Sequence, residues 1–357
     1  MLRRPLALRV AAAAVAAAAA AAVPVAFVGA PGHADEIRFV DGAAQKVEEI
    51  VEESYDVVKA KVAGTPQTYQ TERILEIVHD VFPPGYEDAQ KSERRLDYAG
   101  AAAGYVRVAE SARQGDWVKQ YALFRAAECL RLANDLAGAR AAYDRLLKEF
   151  PKSRFYPHAR LGLGLVDLAS GRAADARKAF KALEDEVGSK RLGEIFRLEA
   201  QLYAAQAFEA EGNDAEAQSL YGKVARDASR RKELARVAYE ARVRELAVAG
   251  RSNPERAAKD LVETVDRSDC PAAARALAYN VLGDCYTKMN KPKQALLAYL
   301  RVALDKELKQ VGAEVPRALY CAARAFEQTK GPDWKERAES LRKELRESFP
   351  SSPWARK

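Results

Sequence analysis

Few side chains in this sequence have the types and spacing that support catalytic or metal chemistry. Its 357 residues include three histidines, His33, His79 and His158, and four cysteines. None of the histidines stands in an HExxH or HxH pattern or near a Cys-x-x-Cys pair, which are the usual spacings of zinc ligands. The sequence therefore favours a protein that is not an enzyme and that holds no metal and no cofactor.

The cysteines and two conspicuous glycines have structural interpretations. Cys285 and Cys321 form the one plausible disulfide pair, although buried free thiols are the default expectation. Gly162 and Gly164 stand in a Leu-Gly-Leu-Gly-Leu run, which no strand precedes and no Lys-Ser/Thr follows, so it lacks the features of a phosphate loop. We interpret these glycines as positions where two helices approach closely.

The net charge points away from nucleic acid. The chain has 58 Lys and Arg against 51 Asp and Glu, a formal charge of +7. Part of this excess lies in residues 1–34, which contain Arg3, Arg4 and Arg9 and no acidic residue. The remaining basic residues alternate with acidic ones along predicted helices, as exposed ion pairs do. A phosphate-binding stripe would instead cluster them on one face.

Residues 1–34 have the pattern of an export signal. A basic start is followed by a long Ala- and Val-rich run, and Gly32 and Ala34 are small residues at the positions that signal peptidase reads. We expect cleavage after Ala34, which predicts a periplasmic protein with no integral membrane span. An uncleaved inner-membrane anchor is the alternative, because residues 10–30 are long enough to cross a bilayer. Alanine is only weakly hydrophobic and Pro24 interrupts the run, which favours removal.

Residues 35–82 are predicted to form a small β module. β-branched and aromatic runs bounded by turn residues predict four or five short strands that close into a small barrel, at 37–40, 47–51, 55–62 and 74–78. A helix over residues 44–62 remains open, because the apolar residues there also fit one helical face. The order of these segments resembles the SH3-like modules found at the N-termini of exported bacterial proteins.

From Pro84 onward the sequence predicts paired antiparallel helices that repeat. Apolar residues recur at helical spacing, and a small residue marks the start of each second helix: Ala101, Ala139, Ala176, Ala217, Ala258, Ala295 and Ala338. One turn later on the same face stand Tyr105, Tyr143, Phe180, Tyr221, Val262, Tyr299 and Arg342. The small residue lets two helices approach, and the aromatic ring fills the space between neighbouring hairpins.

This pattern resembles the tetratricopeptide repeat, which has Leu-Gly and Tyr in its first helix, Ala and an aromatic residue in its second, and Pro after it. The best copy contains Leu282, Gly283, Tyr286, Ala295 and Tyr299. The resemblance covers residues 84–357 and implies a mainly α protein, a right-handed α-solenoid of six or seven helix hairpins behind the signal peptide and the β module.

A finer likeness lies in an aromatic-Pro-x-Ser sequence that follows two of the predicted second helices. It occurs at Phe150-Pro151-Lys152-Ser153 and again at Phe349-Pro350-Ser351-Ser352. The element is similar to repeats in envelope proteins, including outer-membrane assembly lipoproteins and the coordinators associated with the Tol-Pal system. This chain has neither the lipid-attachment cysteine of the former nor the heptad coiled coil of the latter, so orthology with either is not supported.

The function that this resemblance implies is a protein-binding scaffold in the bacterial cell envelope, which captures a peptide or helix of another envelope protein on its concave face. The repeat register places nine residues on that face: Tyr121, Glu128, Arg131, Gln206, Asn280, Asp284, Lys288, Tyr320 and Glu327. Asn280, Asp284 and Lys288 form the strongest group, because they follow one face of one helix. The alternative is a protein that binds a cell-wall glycan or polysaccharide for a separate enzyme, for which only Trp117, Trp334 and Trp354 offer indole platforms.

Overall fold

The structure is a computed structural model, and it describes residues 35–40, 42–80, 82–111 and 116–357. The predicted export signal, with its cleavage site after Ala34 and its alternative as an anchor, lies outside the described residues. Within the described ranges, no helix combines the length and the apolar character needed to cross a bilayer.

The N-terminal part is a β module of two antiparallel three-stranded sheets. In the described part of the chain its strands are β1 Asp35–Phe39, β2 Ala44–Val47, β3 Glu49–Glu53, β4 Val57–Val62, β5 Thr65–Gln70 and β6 Ile74–Val78. One sheet has the order β2-β1-β6 and the other the order β3-β4-β5. Their shared core consists of Ile37, Val47, Val58, Ala60, Ile74 and Ile77.

The structure answers the question left open for residues 44–62, because they form strands and no helix. The prediction of four or five strands was too low, for two physical reasons. The apolar run at 47–51 is divided between β2 and β3, which belong to different sheets. The strand β5 is largely polar and exposed, so it lacks the apolar alternation by which a strand is recognised in sequence.

The rest of the described chain is helical. Its α-helices are α1 Pro84–Arg94, α2 Tyr98–Ser111, α3 Asp116–Leu132, α4 Leu136–Glu149, α5 Tyr156–Ala169, α6 Ala173–Ser189, α7 Glu194–Ala210, α8 Asp214–Ala228, α9 Ala235–Ala249, α10 Pro254–Val265, α11 Ala272–Lys288, α12 Pro292–Leu304, α13 Lys306–Gln310, α14 Val315–Thr329 and α15 Trp334–Ser348. From α1 to α6, and again from α8 to α15, helices that follow one another pack together as hairpins, in the manner of a tetratricopeptide-like solenoid.

The described chain divides into two compact units, residues 35–200 and residues 201–357. The first contains the β module and α1–α6, with a helical core that includes Tyr105, Leu123 and Tyr143. The second contains α8–α15, with one core around Leu261 and Leu282 and another around Tyr299, Leu319 and Leu341. The helix α7 contributes residues to both units.

The predicted repeat pattern is confirmed in the packing. All seven marker alanines are buried, and so are the five aromatic residues that follow them by one turn. Val262, at the same position in α10, is 37% exposed, so this copy lacks the buried aromatic ring of those five copies. Close helix approach at the glycines is confirmed as well: a Cβ atom on Gly162 would lie 2.3 Å from the Tyr143 ring, and one on Gly164 would lie 2.4 Å from the Phe180 ring.

Candidate partner-binding site

The buried tyrosines of the second helices share one hydrogen-bonding arrangement. Each hydroxyl donates to a carboxylate on the preceding first helix, in the pairs Tyr105–Glu93, Tyr143–Glu128, Tyr221–Glu209 and Tyr299–Asp284. A buried phenol needs such a partner, because an unpaired hydroxyl in a core is costly. An arginine also pairs with each carboxylate, namely Arg125, Arg131, Arg251 and Arg317. These carboxylates therefore serve to hold the hairpins together.

Glu128 and Arg131, two residues of the predicted concave face, belong to this internal arrangement. They form an ion pair of 2.8 Å, and Arg131 is buried. Burial alone would raise the pKa of Glu128, but the charge and hydrogen bond of Arg131 outweigh it and lower that pKa. A carboxylate that already accepts hydrogen bonds from Tyr143 and Arg131 has little capacity left for a partner protein.

The group expected to be the strongest, on α11, is also engaged within the chain. Asn280 is 0% exposed, and its amide nitrogen donates to the Glu314 carbonyl at 3.0 Å and to the Glu314 carboxylate at 2.8 Å. Asp284 pairs with Arg317 and accepts from Tyr299. Lys288 is exposed, and its Nζ lies 3.4 Å from the carbonyl oxygen of Gly250.

For Asn280 this placement is a correction, because a fully buried side chain has no surface that a partner could touch. The reason lies in the sequence of α11, which is Ala- and Leu-rich on most of its circumference. A helix covered on nearly all sides has no distinct polar face, so its few polar residues mark contacts between helices. Contact of Asp284 and Lys288 with a partner remains a prediction.

Two more of the predicted residues are inward-facing. Gln206 on α7 is 7% exposed, which leaves almost no area for a partner. Tyr121 on α3 is half-buried, and its hydroxyl donates to the Glu53 carboxylate of β3 at 2.9 Å. The observed neighbour of Tyr121 is therefore the chain's own β module.

Tyr320 and Glu327, by contrast, line an open cavity of about 310 Å³ in the second unit. The cavity lies between α14, α15 and the segment that follows α15, and its other walls include Arg324, Arg342, Arg346, Trp354 and Lys357. The rings of Tyr320 and Trp354 are 5.3 Å apart. The Lys357 ammonium lies 4.0 Å from the centre of the Trp354 ring, as in a cation–π contact.

The cavity has an excess of positive charge. Arg342 pairs with Glu327, and Arg346 pairs with Glu339. Arg324 and Lys357, whose charged groups each lie 5.9 Å from the centre of the Tyr320 ring, form no ion pair with any described carboxylate. The Tyr320 hydroxyl likewise has no hydrogen-bond partner among the described residues. Two cations and a phenol directed at one open space suit a carboxylate or another anion.

A second polar cluster lies at the junction between the β module and the helices of the first unit. The ring of His79 is buried, with Nδ1 3.3 Å from the Asp35 carboxylate and Nε2 2.7 Å from the Glu53 carboxylate. It stacks on Trp117 with ring centres 3.8 Å apart. Arg154 adds a positive charge 3.7 Å from Glu53. His79, Glu53 and Arg154 are almost fully covered and Asp35 is only partly exposed, so we interpret the cluster as a structural junction.

The charges of this junction shift its pKa values in opposite directions. Burial alone would lower the pKa of His79, but its hydrogen bond to Asp35 and the close Glu53 carboxylate outweigh burial and raise that pKa above its usual value. Burial alone would raise the pKa of Glu53, but His79, Arg154 and Tyr121 outweigh it and lower that pKa. Both shifts favour the charged forms of the pair.

Within the described ranges, the cysteines and the side chains of metal-ligating type form no further site. All four cysteines lie in the described part of the chain and are free thiols, so Cys285 and Cys321 are not bonded. Burial raises the pKa of the Cys285 and Cys321 thiols to about 11, which makes them poor nucleophiles. In the described ranges, no three His, Cys, Asp or Glu side chains are grouped so as to hold a metal ion.

The repeat family is detected directly in the sequence. The tetratricopeptide repeat model matches residues 121–153 and residues 199–229. Tetratricopeptide repeats are thus detected in these two stretches of the chain. The first match covers most of α3, all of α4 and the Phe-Pro-x-Ser element, and the second covers most of α7 and all of α8. No curated protein matches this chain.

Several solved structures resemble this chain at low sequence identity. The apo form of the quorum sensor NprR from B. thuringiensis is 16% identical, covers 74% of this chain and 75% of that chain, and gives a TM-score of 0.43. NprR in complex with its cognate peptide NprX is 16% identical, covers 76% and 80%, and gives 0.46. The STAND protein PH0952 from Pyrococcus horikoshii is 15% identical, covers 74% and 41%, and gives 0.44. Similarity at this level does not extend to ligands.

Proposed function

We propose that this chain is an exported, non-catalytic scaffold that binds other proteins of the bacterial cell envelope, through the cavity of α14 and α15. The observation that carries this proposal is the open cavity lined by Tyr320, Arg324 and Lys357. The polar or charged groups of these three side chains have no hydrogen-bond or ion-pair partner among the described residues. Most of the other residues predicted on the concave face are already used in contacts within the chain.

The residues that line the cavity favour binding of a partner protein and not catalysis. Its walls consist of arginines, a lysine, aromatic rings and one glutamate that is paired with Arg342. A general base needs an unpaired carboxylate or imidazole near a nucleophile, and the cavity walls include no such pair. Fixed cations beside aromatic rings are instead the usual composition of a surface that anchors a protein segment.

The glycan alternative finds less support in the surroundings of the tryptophans. The Lys357 ammonium lies over the Trp354 ring, and the Trp117 ring stacks on His79. The Lys335 ammonium lies 5.7 Å from the centre of the Trp334 ring. Sugars need an open aromatic face on which to stack, and each of these rings has a polar or ring neighbour on it.

Site-directed photo-cross-linking tests the binding function. A photoreactive phenylalanine analogue placed at Tyr320 should link the chain to a discrete set of envelope proteins in living cells. The matched control places the same analogue at Leu297, which is exposed on α12 away from the cavity lining. Identical products from both positions, or none from Tyr320, would contradict the proposal.

Export is tested separately by N-terminal sequencing. Protein recovered from the periplasmic fraction of the source cells should begin at Asp35, because Ala34 is the expected cleavage position. Recovery of the protein in the membrane pellet with residues 10–30 intact would support the anchored alternative. Recovery in the cytoplasm would contradict export.

A further inference from the structure

Two hairpins of the chain, α3–α4 and α14–α15, are built on the same plan. They are the ones followed by a Phe-Pro-x-Ser element, and equivalent residues stand at the same distance from that element in each. The equivalent pairs include Tyr121 and Tyr320, Arg125 and Arg324, Glu128 and Glu327, Ala139 and Ala338, and Leu146 and Leu345. We call the hairpins with their elements the first and the last acceptor hairpin.

The backbone of the element is the same in both acceptor hairpins. Ser153 N donates to Phe150 O at 2.9 Å, and Ser352 N donates to Phe349 O at 2.9 Å. The aromatic residue two positions after the serine makes the same hydrogen bond in both hairpins. Phe155 N donates to Ser153 Oγ at 3.1 Å, and Trp354 N donates to Ser352 Oγ at 3.3 Å. An aromatic ring then packs on the equivalent tyrosine: Phe155 on Tyr121, and Trp354 on Tyr320.

The first acceptor hairpin holds an extended acidic segment of the chain's own β module. Ser54 pairs with Ser153 in an antiparallel bridge, and Tyr55 N donates to Lys152 O at 3.0 Å. The Glu53 carboxylate accepts from the Tyr121 hydroxyl at 2.9 Å and lies beside Arg154. The element thus supplies backbone groups for a strand, while the equivalent tyrosine supplies a donor for a carboxylate.

The last acceptor hairpin presents the same groups with no described segment along them. Its tyrosine hydroxyl is unpaired among the described residues, and the carbonyl of Ser351, equivalent to that of Lys152, accepts no backbone hydrogen bond from them. The cavity of about 310 Å³ lies on the Tyr320 side of these groups; Tyr320 and Trp354 are in its walls, and Ser351 and Ser352 are not. The tyrosine of the first acceptor hairpin, in the same position, is covered by Glu53.

The two acceptor hairpins differ in the source of positive charge. Pro353 stands where Arg154 stands in the first acceptor hairpin, and Lys357 stands where His158 stands. Arg324 and Lys357 both approach the Tyr320 ring, whereas Arg125, the equivalent of Arg324 in the first acceptor hairpin, pairs with Glu93. Ala355 replaces Tyr156, which packs on Tyr55 in the first acceptor hairpin, so no aromatic contact is expected beyond the acidic residue.

We infer that the last acceptor hairpin binds an extended segment of a partner protein that carries a glutamate. The glutamate carboxylate accepts from the Tyr320 hydroxyl and is paired by Arg324 and Lys357. The segment's backbone lies against the Phe-Pro-x-Ser element and donates to Ser351 O, in the way that Tyr55 donates to Lys152 O. This inference rests on the proposed function and specifies the chemistry of the partner.

A peptide from the chain itself is the probe. A fluorescein-labelled peptide of residues 50–57, Ile-Val-Glu-Glu-Ser-Tyr-Asp-Val, is titrated with the full chain and followed by fluorescence anisotropy. The same peptide with glutamine at the position of Glu53 should bind about tenfold more weakly, since a charge-assisted hydrogen bond is lost. Arg324→Gln combined with Lys357→Gln in the chain should produce a loss of similar size. The matched control, Lys343→Gln on the exposed face of α15, should leave binding unchanged.

The inference is overturned if the unaltered chain does not bind the peptide, or if the glutamine peptide or the double variant binds as well as its reference. A peptide-sensitive dimer that disappears in Glu53→Gln would also overturn it, because the occupant would then be a second copy of this chain. Its failure is distinguishable from that of the proposed function. If partners are cross-linked through Tyr320 but the peptide does not bind, the scaffold function is supported and the inference of an acidic partner segment is rejected.

Discussion

The first and the last acceptor hairpin place the same structural plan in two different surroundings. In the first, Tyr121 and the Phe-Pro-x-Ser element lie under the strand that ends at Glu53, and the carboxylate is 3% exposed. In the last, Tyr320 and Trp354 border an open cavity. The comparison indicates that the element is an attachment point for an extended segment, and that this chain uses one such point to fix its own β module.

The surroundings also explain why the two acceptor hairpins use different cations. A buried carboxylate needs several partners to offset its loss of water, and Glu53 has His79, Tyr121 and Arg154. Charged side chains that line a cavity open to solvent need fewer protein partners, because water hydrates them until a partner protein binds. Arg324 and Lys357 fit this condition, since both are exposed.

The largest expected effect is on the junction of the first acceptor hairpin. Glu53→Gln removes the shared partner of His79 and Arg154 and leaves two buried cations with less compensation, so the free energy of unfolding should fall by about 3 kcal/mol. Urea denaturation followed by circular dichroism measures this change. The control is Glu49→Gln on the same strand, which removes only an exposed ion pair with Lys61 and should leave the free energy of unfolding nearly unchanged.

The junction should also depend on pH, with a sign set by the two shifts. The pKa of Glu53 is lowered on folding, so its contribution is present at higher pH and is lost as pH falls through that lowered pKa. The pKa of His79 is raised, so its contribution is present at low pH and is lost as pH rises through that raised pKa. Asp35, whose pKa is lowered, reinforces the acid side. Glu53→Gln should flatten both limbs, and an unchanged stability profile would contradict the assignment.

Much of the fold could be predicted from the sequence because small and aromatic residues recur at fixed positions in the repeats. The marker alanines and the aromatic residues after them are buried as expected, and Gly162 and Gly164 adjoin aromatic rings. Helical periodicity indicates which positions are buried, so the core residues of the hairpins could be predicted. The polar strand β5 could not, because its position depends on hydrogen bonding to β4 and not on apolar burial.

The candidate site was harder to predict from the sequence, for a related reason. Periodicity assigns a polar residue to a helix face, but it does not say whether that face meets solvent or another helix. Asn280 was misplaced in this way, whereas Tyr320 and Glu327 lie at the open cavity. Arg324 and Lys357 were missed, although the recurrence of the Phe-Pro-x-Ser element at matched spacing was a usable signal for both acceptor hairpins.

The most direct test of the account compares the two equivalent tyrosines in one experiment. Tyr121→Phe should lower the free energy of unfolding by about 1 kcal/mol, because it removes a buried hydrogen bond to Glu53, and should leave binding of the residue 50–57 peptide unchanged. Tyr320→Phe should leave stability unchanged, because its hydroxyl has no described partner, and should weaken peptide binding several-fold. Equal effects of the two substitutions on stability, or peptide binding that depends on Tyr121 and not on Tyr320, would contradict the account.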